Sequence, residues 1–231
     1  MRVLLLGHGR MGKLVESLAP EYGATIAGVV DEHSGEIGDA DVAIDFTLAD
    51  AVAKNLPRLA ERKINVVIGT TGWQAQEPAM RAIAEKAGIG VLAASNFSLG
   101  MNIFQLAVEE ASRHFANHPE FGAWIHESHH VMKKDAPSGT ALTIKQGMEQ
   151  AGFARPIDVS STRVGAVPGT HTVGFDGPSE TIELTHTVRD RAVFARGALT
   201  AAKWLIGKRG WFSVREMLDE GRTHKAEGKT S

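Results

Sequence analysis

The sequence has 231 residues, a formal net charge of −2 and no cysteine. Apolar residues make up 43% and charged residues 23%, as in ordinary globular proteins with one large or two small domains. The small net charge argues against a general polyanion-binding surface, so we expect no nucleic-acid partner. The lack of cysteine excludes disulfides, thiolate metal sites and a cysteine nucleophile. No apolar run is long enough to span a bilayer, and we expect a cytoplasmic protein with no membrane partner and no bound metal.

Short apolar runs alternate with other segments through the first hundred residues. The runs cover 2–6, 25–30, 41–46, 65–70 and 90–94. Residues 11–18 carry apolar side chains at helical spacing, and residues 78–87 begin with Pro and end before Gly88, as helices do. Strands that are apolar almost throughout, separated by helices, predict a parallel sheet covered on both faces.

The pattern changes after residue 100, where polar and apolar residues alternate along the predicted strands. These strands cover 122–128, 158–165, 170–175 and 180–188. Helices are predicted at about 99–115, from about residue 138, at 192–206 and near 213–219, before a polar tail. Alternation of this kind predicts a sheet with one side facing solvent or a partner. We therefore predict two domains, with a boundary near residue 97.

A glycine array, "GHGRMG", follows the first predicted strand and opens the first helix. In a G-x-G-x-x-G array, Gly7 makes the tight turn, Gly9 lets a pyrophosphate approach the backbone, and Gly12 permits close packing of helix on strand. The helix N-terminus offers N–H donors to phosphates. Asp31 ends the second strand about 20 residues further on, where an acid accepts hydrogen bonds from an adenosine ribose. A structural turn without a ligand is the alternative, but this context favours a dinucleotide site.

Asp31 also bears on the choice of cofactor. A carboxylate at this position repels the 2′-phosphate of NADPH, and no arginine lies beside it to attract that phosphate. Its neighbours are Glu32 and His33. We therefore expect NADH to be preferred, with NADPH as a second cofactor.

Two further loops leave predicted strands at the same edge of the sheet, where ligands of doubly wound folds bind. One loop supplies Gly69, Thr70 and Thr71, and the other supplies Ala94, Ser95, Asn96 and Phe97. "DFT", at residues 45–47, follows the third strand at a comparable position. Each loop alone reads equally well as an ordinary turn, whereas together they favour a nicotinamide site.

A crowded polar segment, "ESHHVMKKDAPSGTA", spans residues 127–141. Its last part opens a predicted helix, so the N–H groups of Gly139 and Thr140 are suited to bind a carboxylate or phosphate. Lys133 or Lys134 would add positive charge there. The segment therefore indicates an anion-binding site, and the role of Lys134 is left open.

The same segment carries two adjacent histidines, His129 and His130, at the end of a predicted strand. Successive side chains of a strand face opposite ways, so both histidines join one site only if strand geometry ends between them. An imidazole with a pKa of about 6.5 is suited to deliver a proton near neutral pH. A solvated loop with structural histidines is the alternative, and adjacent histidines rarely chelate one metal ion.

Several stretches match one known family in order along nearly the whole chain. They are "GHGRMG", "IDFT", "VIGTTG", "SNFSLGMN", "ESHHVMKKDAPSGTA", "RVGAVPGTHTVGF", "IELTHTVRDRAVFARGA" and "AAKWLIGK". In these stretches the chain resembles the dihydrodipicolinate (4-hydroxy-tetrahydrodipicolinate) reductases, and the His-His-x-x-Lys-x-Asp-Ala-Pro-Ser-Gly-Thr block is highly specific. The segment between Asp31 and Asp41 is shorter than is usual in the family, and the glycine loop lacks one residue of the common form.

The resemblance implies an α/β Rossmann-type dinucleotide-binding domain at 1–97 and about 192–231. It also implies a C-terminal α+β substrate and oligomerisation domain at 98–191, with an open mixed sheet that forms a homotetramer. The implied reaction reduces a small dicarboxylate, 4-hydroxy-tetrahydrodipicolinate, to tetrahydrodipicolinate with loss of water, in the diaminopimelate route to lysine.

The resemblance also assigns roles to residues at the matching positions. His129 resembles the proton donor and Lys133 its catalytic partner. The implied contacts to substrate carboxylates are His130, Gly139 and Thr140. The implied NAD(P) contacts are Gly7, His8, Gly9, Arg10, Met11, Gly12, Asp31, Gly69, Thr70, Thr71, Ala94, Ser95, Asn96 and Phe97.

Two other functions fit part of the sequence. An amino-acid dehydrogenase acting on an aspartate-like substrate would share the architecture, but the histidine–lysine block argues against it. A non-catalytic NAD-responsive binding protein would not need an acid at the site, so His129 and Lys133 argue against that function too.

Overall fold

The structure, a computed structural model, describes residues 1–31 and 35–227, and within 221–227 the description is confined to the helical backbone. The chain divides into two compact units. The first consists of Met1–Ser98 and the segment that begins at Ala192, and the second of Leu99–Arg191. Among the helices of the described residues, none is long and apolar enough to cross a membrane.

The first unit contains a sheet of six parallel strands, numbered here in chain order. They are β1 (Arg2–Leu6), β2 (Thr25–Val30), β3 (Val42–Asp45), β4 (Asn65–Ile68), β5 (Gly90–Ala93) and β10 (Gly210–Phe212). Their order across the sheet is β10-β5-β4-β3-β1-β2. The chain runs from β1 outward to β2 and then returns to β3 on the other side of β1. The direction of winding therefore reverses between β1 and β3, which opens a crevice at the carboxyl ends of these strands.

The helices of this unit cover the sheet with apolar faces. They are α1 (Arg10–Leu18), α2 (Ala49–Glu61), α3 (Glu77–Ala87), α6 (Ala192–Leu205) and α7 (Val214–Glu227). Every residue of β3 is buried, as expected for a strand covered on both faces. In α6 the backbone comes so close to the loop after β5 that a Cβ atom on Gly197 would lie 1.6 Å from the Phe97 carbonyl oxygen.

The observed elements differ from the predicted ones in three places. The helix predicted at 213–219 extends to Glu227, because helix-forming Glu, Arg, Lys and Ala residues outweigh Gly221. The sequence analysis gave no residue range for α2 or for β10. The helix α2 contains Pro57, and the strand β10 has 3 residues, too few to show a period. The last positions of the predicted polar tail, 228–231, lie outside the described residues.

The second unit is a four-stranded mixed sheet with two helices. Its elements are α4 (Leu99–Phe115), β6 (Gly122–His129), α5 (Gly139–Gln150), β7 (Ile157–Arg163), β8 (Thr170–Asp176) and β9 (Thr181–Thr187). The strand order is β7-β6-β8-β9, with β6 and β7 parallel and the other pairs antiparallel. Phe104 and Met148 of the helices pack in one core with Ile125, Val173 and Phe175 of the sheet. The predicted fold class, an α/β unit with a parallel sheet and an α+β unit with a mixed sheet, is confirmed.

The other face of this sheet carries polar and half-buried side chains. Threonines pair across β8 and β9, with Thr172 and Thr185 joined by a hydrogen bond of 3.0 Å. Trp124 lies across Gly174 of the neighbouring strand, where a Cβ atom would come within 2.2 Å of its ring. The predicted alternation thus gives one apolar face under the helices and one open face.

Candidate active site

A cleft of about 530 Å³ opens in the first unit at the crevice between β1 and β3. Its lining comprises Gly7, His8, Gly9, Lys13, Val30, Asp31, Phe46, Thr47, Leu48, Ala51 and Asn55. Three loop residues of the glycine array and the acid at the end of β2 thus come together as the sequence predicts. Glu32 and His33, which also entered the argument for NADH, lie outside the described residues.

The three glycines of the array stand in different surroundings. Gly7 has a positive φ of 87°, and a Cβ atom there would lie 2.7 Å from the Phe46 carbonyl oxygen. A Cβ atom on Gly12 would lie 2.2 Å from the Gly7 carbonyl oxygen. A Cβ atom on Gly9, by contrast, would have no atom of the described residues within 4 Å. The loop is therefore tight where it folds back on itself and open where a pyrophosphate would meet the N-terminus of α1.

The carboxylate of Asp45, at the end of β3, connects three segments beside this cleft. Its side chain is 1% exposed. Its Oδ1 accepts two hydrogen bonds from Thr47, one from the backbone N–H at 2.9 Å and one from the hydroxyl at 2.5 Å. The same oxygen accepts a third from the Thr70 hydroxyl at 3.0 Å. Oδ2 accepts from the Asn55 amide at 3.1 Å. A buried carboxylate with several donors holds such loops in one arrangement.

The other predicted cofactor residues lie at neighbouring strand ends. The Phe46 ring packs over Gly69, so that a Cβ atom at Gly69 would lie 2.1 Å from the ring. The same ring meets that of Phe97 edge to face, with 6.4 Å between the ring centroids. Ala94 and Ser95 line a separate cavity of about 160 Å³ with Thr70. The following predicted residues line neither of these cavities: Arg10, Met11, Gly12, Gly69, Thr71, Asn96 and Phe97.

In the second unit, β6 changes from core to site along its length. Ala123, Ile125, Glu127 and His129 share the face under the helices, and all are buried. The imidazole Nδ1 of His129 is hydrogen-bonded to Oε2 of Glu127. The strand ends at His129, so regular alternation stops before His130, which was the condition for both histidines to belong to one site.

Glu127 is a fully buried carboxylate held by positive charge. The Arg163 guanidinium donates to both of its oxygens, at 2.7 and 3.0 Å. Burial raises the pKa of Glu127, but hydrogen bonds, led by that of Arg163, outweigh burial and hold the pKa at about 2. For His129 burial dominates and lowers the pKa, while the neighbouring Glu127 carboxylate opposes that shift. Glu127 is therefore ionised at neutral pH.

The N-terminus of α5 lies beside this pair. Ser138 is the N-cap: its hydroxyl accepts from the Ala141 N–H at 3.1 Å, and its own N–H donates to Glu127 at 3.1 Å. A Cβ atom on Gly139 would meet nothing within 4 Å among the described residues, and Thr140 is half-buried. The helix end that was predicted to bind a carboxylate is therefore capped and fixed to β6.

A second ion pair, between Lys133 and Asp135, lies in the loop that leads to α5. The Lys133 Nζ donates to both oxygens of Asp135. The hydrogen bond from Lys133, and weaker ones from backbone N–H groups including that of Gly139, lower the pKa of Asp135. Lys134 is exposed.

Two further histidines extend the polar group across the sheet. His171 of β8 pairs in register with Glu127 of β6 and with His186 of β9. The His171 ring lies 5.2 Å from that of His129, and its Nε2 is 3.2 Å from the Ser138 hydroxyl. Burial, aided by the charge of His129, lowers the pKa of His171 to about 4. The sequence analysis did not identify this residue, since its place depends on strand register.

Comparison with known proteins decides the family. The model of the dihydrodipicolinate reductase C-terminus matches residues 100–218, and that of the N-terminus matches residues 36–97. A 4-hydroxy-tetrahydrodipicolinate reductase of Xanthomonas axonopodis pv. citri is 42% identical, over 94% of this chain and 98% of its own. One of Christiangramia forsetii is 35% identical, over 95% of this chain and 98% of its own. The chain belongs to the dihydrodipicolinate reductase family.

A solved dihydrodipicolinate reductase has the same fold. The enzyme of Paenisporosarcina sp. TG-14, with dipicolinate bound, superposes with a TM-score of 0.80 at 21% identity, covering 92% of this chain and 97% of its own. The family resemblance inferred from the sequence is therefore confirmed, and membership makes the chain an oxidoreductase. Its Rossmann-type unit implies NAD(P)H as cofactor, and the open surroundings of Gly9 at the start of α1 fit such a ligand.

Sequence analysis missed the residues that support the predicted site residues from the neighbouring strands. Glu127 and His171 contact His129, and Arg163 in turn pairs with Glu127 from the neighbouring strand. Asp45, which the sequence analysis noted only as part of "DFT", supports Thr70 in the same way beside the cofactor cleft. One indication was available: Glu127 precedes His129 by two positions, so both face the same side of a strand.

Proposed function

We propose that the chain catalyses the NAD(P)H-dependent reduction of 4-hydroxy-tetrahydrodipicolinate to tetrahydrodipicolinate, in diaminopimelate and lysine biosynthesis. Each turnover would consume one NAD(P)H and one proton and release one water and one NAD(P)+. The observation that carries the proposal is the buried Glu127–His129 pair beside the capped start of α5, in a chain whose relatives bear this enzyme's name. Consumption of NAD(P)H supports the expected cytoplasmic location.

The proposed chemistry divides between the two units. When bound, the nicotinamide cofactor supplies the hydride. His129 would donate the accompanying proton from Nε2, because Nδ1 is bound to Glu127. Lys133 would stabilise the negative charge that develops on the substrate. The Gly139 and Thr140 N–H groups, with His130, would bind a substrate carboxylate at the N-terminus of α5.

The cofactor preference follows from the charges of the cleft. Asp31 lines it and disfavours a 2′-phosphate, and Lys13 lines it as a cation for the pyrophosphate. We therefore propose NADH as the preferred cofactor and NADPH as the weaker one. The ratio of kcat/KM values for the two cofactors tests this, and a ratio that favours NADPH would contradict it.

The open face of the second sheet supports self-association to a homotetramer. It carries the threonine pairs of β8 and β9 and the half-buried Trp124. This is the face that the family resemblance assigns to the tetramer interface, and no described helix of the second unit covers it. Native mass spectrometry should give four times the chain mass, and replacement of Trp124 by Glu should give smaller species.

The direct test of the function is an absorbance assay. Hydroxy-tetrahydrodipicolinate would be generated enzymatically, and NADH or NADPH oxidation followed at 340 nm, roughly the absorbance maximum of the reduced nicotinamide. A panel of amino-acid dehydrogenase substrates, including aspartate with NAD+, serves as control. Oxidation that depends on hydroxy-tetrahydrodipicolinate is expected. Turnover of the control substrates alone would exclude the proposed function.

A further inference from the structure

The side chain of Glu127 joins the two halves of the site in the second unit. Its Oε2 accepts from Nδ1 of His129, the proposed acid, and its Oε1 accepts from the N–H of Ser138 at 3.1 Å. Ser138 caps the helix whose start would bind the substrate carboxylate. One carboxylate, 0% exposed, thus holds the acid and the anion-binding end of the helix at once.

A buried carboxylate is costly unless it is fully paired, and this one is. Arg163 donates to both of its oxygens and also donates to the backbone carbonyl of Asp135 at 2.6 Å. The arginine therefore fixes Glu127 from β7 and fixes the loop before α5. The arrangement leaves Glu127 no freedom to rotate away from His129.

The geometry also selects the reacting nitrogen of His129. With Nδ1 on the Glu127 carboxylate, Nδ1 carries a proton, and Nε2 is left for exchange with a substrate. Gly169 lies against this second nitrogen, and a Cβ atom there would be 3.0 Å from it.

We infer that Glu127 is a positioning residue: it holds the His129 imidazole with Nε2 as the proton-donating atom and holds the start of α5 through Ser138. The inference rests on the proposed function, since it assigns Glu127 a task in that reaction. It differs from a purely structural role, in which Glu127 would serve as the buried partner of Arg163.

The charges that face His129 determine what removal of Glu127 would do. Glu127 is the facing carboxylate from β6, Lys133 and Arg163 are the facing cations from the loop and β7, and His171 faces it from β8. Burial lowers the pKa of His129, Glu127 raises it, and Lys133 and Arg163 lower it. Loss of the carboxylate charge therefore lowers the pKa of His129 further, and loss of the Arg163 charge raises it.

Glu127→Gln and Arg163→Gln form a matched pair of variants that should shift the pKa of His129 in opposite directions. In Glu127→Gln the decline of kcat with rising pH should move to lower pH, and kcat near neutral pH should fall by about 10- to 100-fold, as for other residues that orient a functional histidine. In Arg163→Gln the same decline should move to higher pH. Glu180→Gln, at an exposed glutamate of the same unit, should leave the profile unchanged.

A second measurement does not depend on turnover. The imidazole resonance of His129, assigned by its loss in His129→Gln, would be titrated by NMR in the intact protein and in both variants. Opposite displacements in Glu127→Gln and Arg163→Gln are expected, and a cooperative thermal unfolding transition of each variant verifies that it is folded. If wild-type protein reduces the substrate while Glu127→Gln keeps both the kcat profile and the His129 titration, the positioning role is wrong and the proposed function stands. If wild-type protein does not reduce it, the proposed function fails whatever the NMR titration shows.

Discussion

The Lys133 Nζ lies 2.8 and 2.9 Å from the two carboxylate oxygens of Asp135. The Gly139 N–H also contributes a hydrogen bond that lowers the pKa of this carboxylate. An internal carboxylate thus pairs with Lys133, which we assign to the negative charge that develops on the substrate, and lies at the helix end that we assign to a substrate carboxylate. Substrate would have to compete with Asp135 for both.

Replacement of Asp135 by Asn should therefore lower the KM for substrate. The side chain is 57% exposed, and exposed ion pairs of this kind are weak, so we expect a decrease of about two- to five-fold with little change in kcat. Asp135→Glu, which keeps the charge, is the control, and a higher KM in Asp135→Asn would show that Asp135 positions Lys133 for binding instead.

Acid should destabilise the second unit partly through His171. The folded pKa is lowered from 6.5 to about 4, chiefly by burial. Between these values the unfolded chain binds a proton that the folded chain does not, so the contribution to stability is complete above pH 6.5 and is lost as pH falls toward 4. The full difference corresponds to roughly 3 kcal/mol in the free energy of unfolding.

This pH dependence can be measured by denaturant unfolding in steps from neutral pH to about pH 4. In His171→Gln the loss of stability over that range should be smaller than in wild type, although the variant starts from lower stability. His114→Gln, at a side chain 78% exposed, is the control and should follow wild type. Parallel curves for His171→Gln and wild type would contradict the assignment.

The sequence predicted best what short-range pattern determines. The bounds of α4, Leu99–Phe115, and the turn at Gly7 follow from helical spacing and from a local glycine array. The pairing of Glu127 with Arg163 depends on the register of β6 against β7, and the position of His171 depends on that of β6 against β8. Register is set by tertiary packing over many residues, so local pattern pointed to Glu127, two positions before His129, but not to Arg163 or His171.

In the first unit, Asp45→Asn should loosen the cofactor cleft. An amide presents one oxygen where the carboxylate now accepts from Thr47, Thr70 and Asn55, so at least one buried donor loses its partner. We expect a loss of about 1–3 kcal/mol in the free energy of unfolding and a higher Kd for NADH. Thermal unfolding and fluorescence titration measure the two effects. Glu85→Gln, at an exposed position of α3, should change neither.

His129→Gln tests the proposed acid directly. Loss of a positioned general acid should lower kcat by about 10²- to 10⁴-fold, because proton transfer in the transition state then falls to water. The KM for NADH should change little, since the dinucleotide cleft is formed by the first unit. Steady-state kinetics near neutral pH decide the matter. A kcat close to that of wild type would remove His129 from the mechanism.

The glycines of the array offer a matched pair of substitutions, Gly9→Ala and Gly12→Ala. At Gly9 the backbone has φ −73° and ψ −160°, which alanine adopts, and the added methyl group would meet nothing within 4 Å. The free energy of unfolding should therefore change by no more than about 0.5 kcal/mol. At Gly12 a methyl group would lie 2.2 Å from the Gly7 carbonyl oxygen, and overpacking of this kind costs about 1–3 kcal/mol or more.

The affinity for NADH should respond to Gly9→Ala although the free energy of unfolding does not. In Gly9→Ala the methyl group would occupy the space in which a pyrophosphate approaches the N-terminus of α1, so the Kd for NADH should rise by at least about tenfold in a protein that is otherwise stable. Thermal unfolding without ligand and fluorescence titration with NADH separate the two properties. If Gly9→Ala binds NADH as tightly as wild type does, the pyrophosphate does not lie over this glycine, and the cleft at β1 and β3 holds the dinucleotide in another orientation.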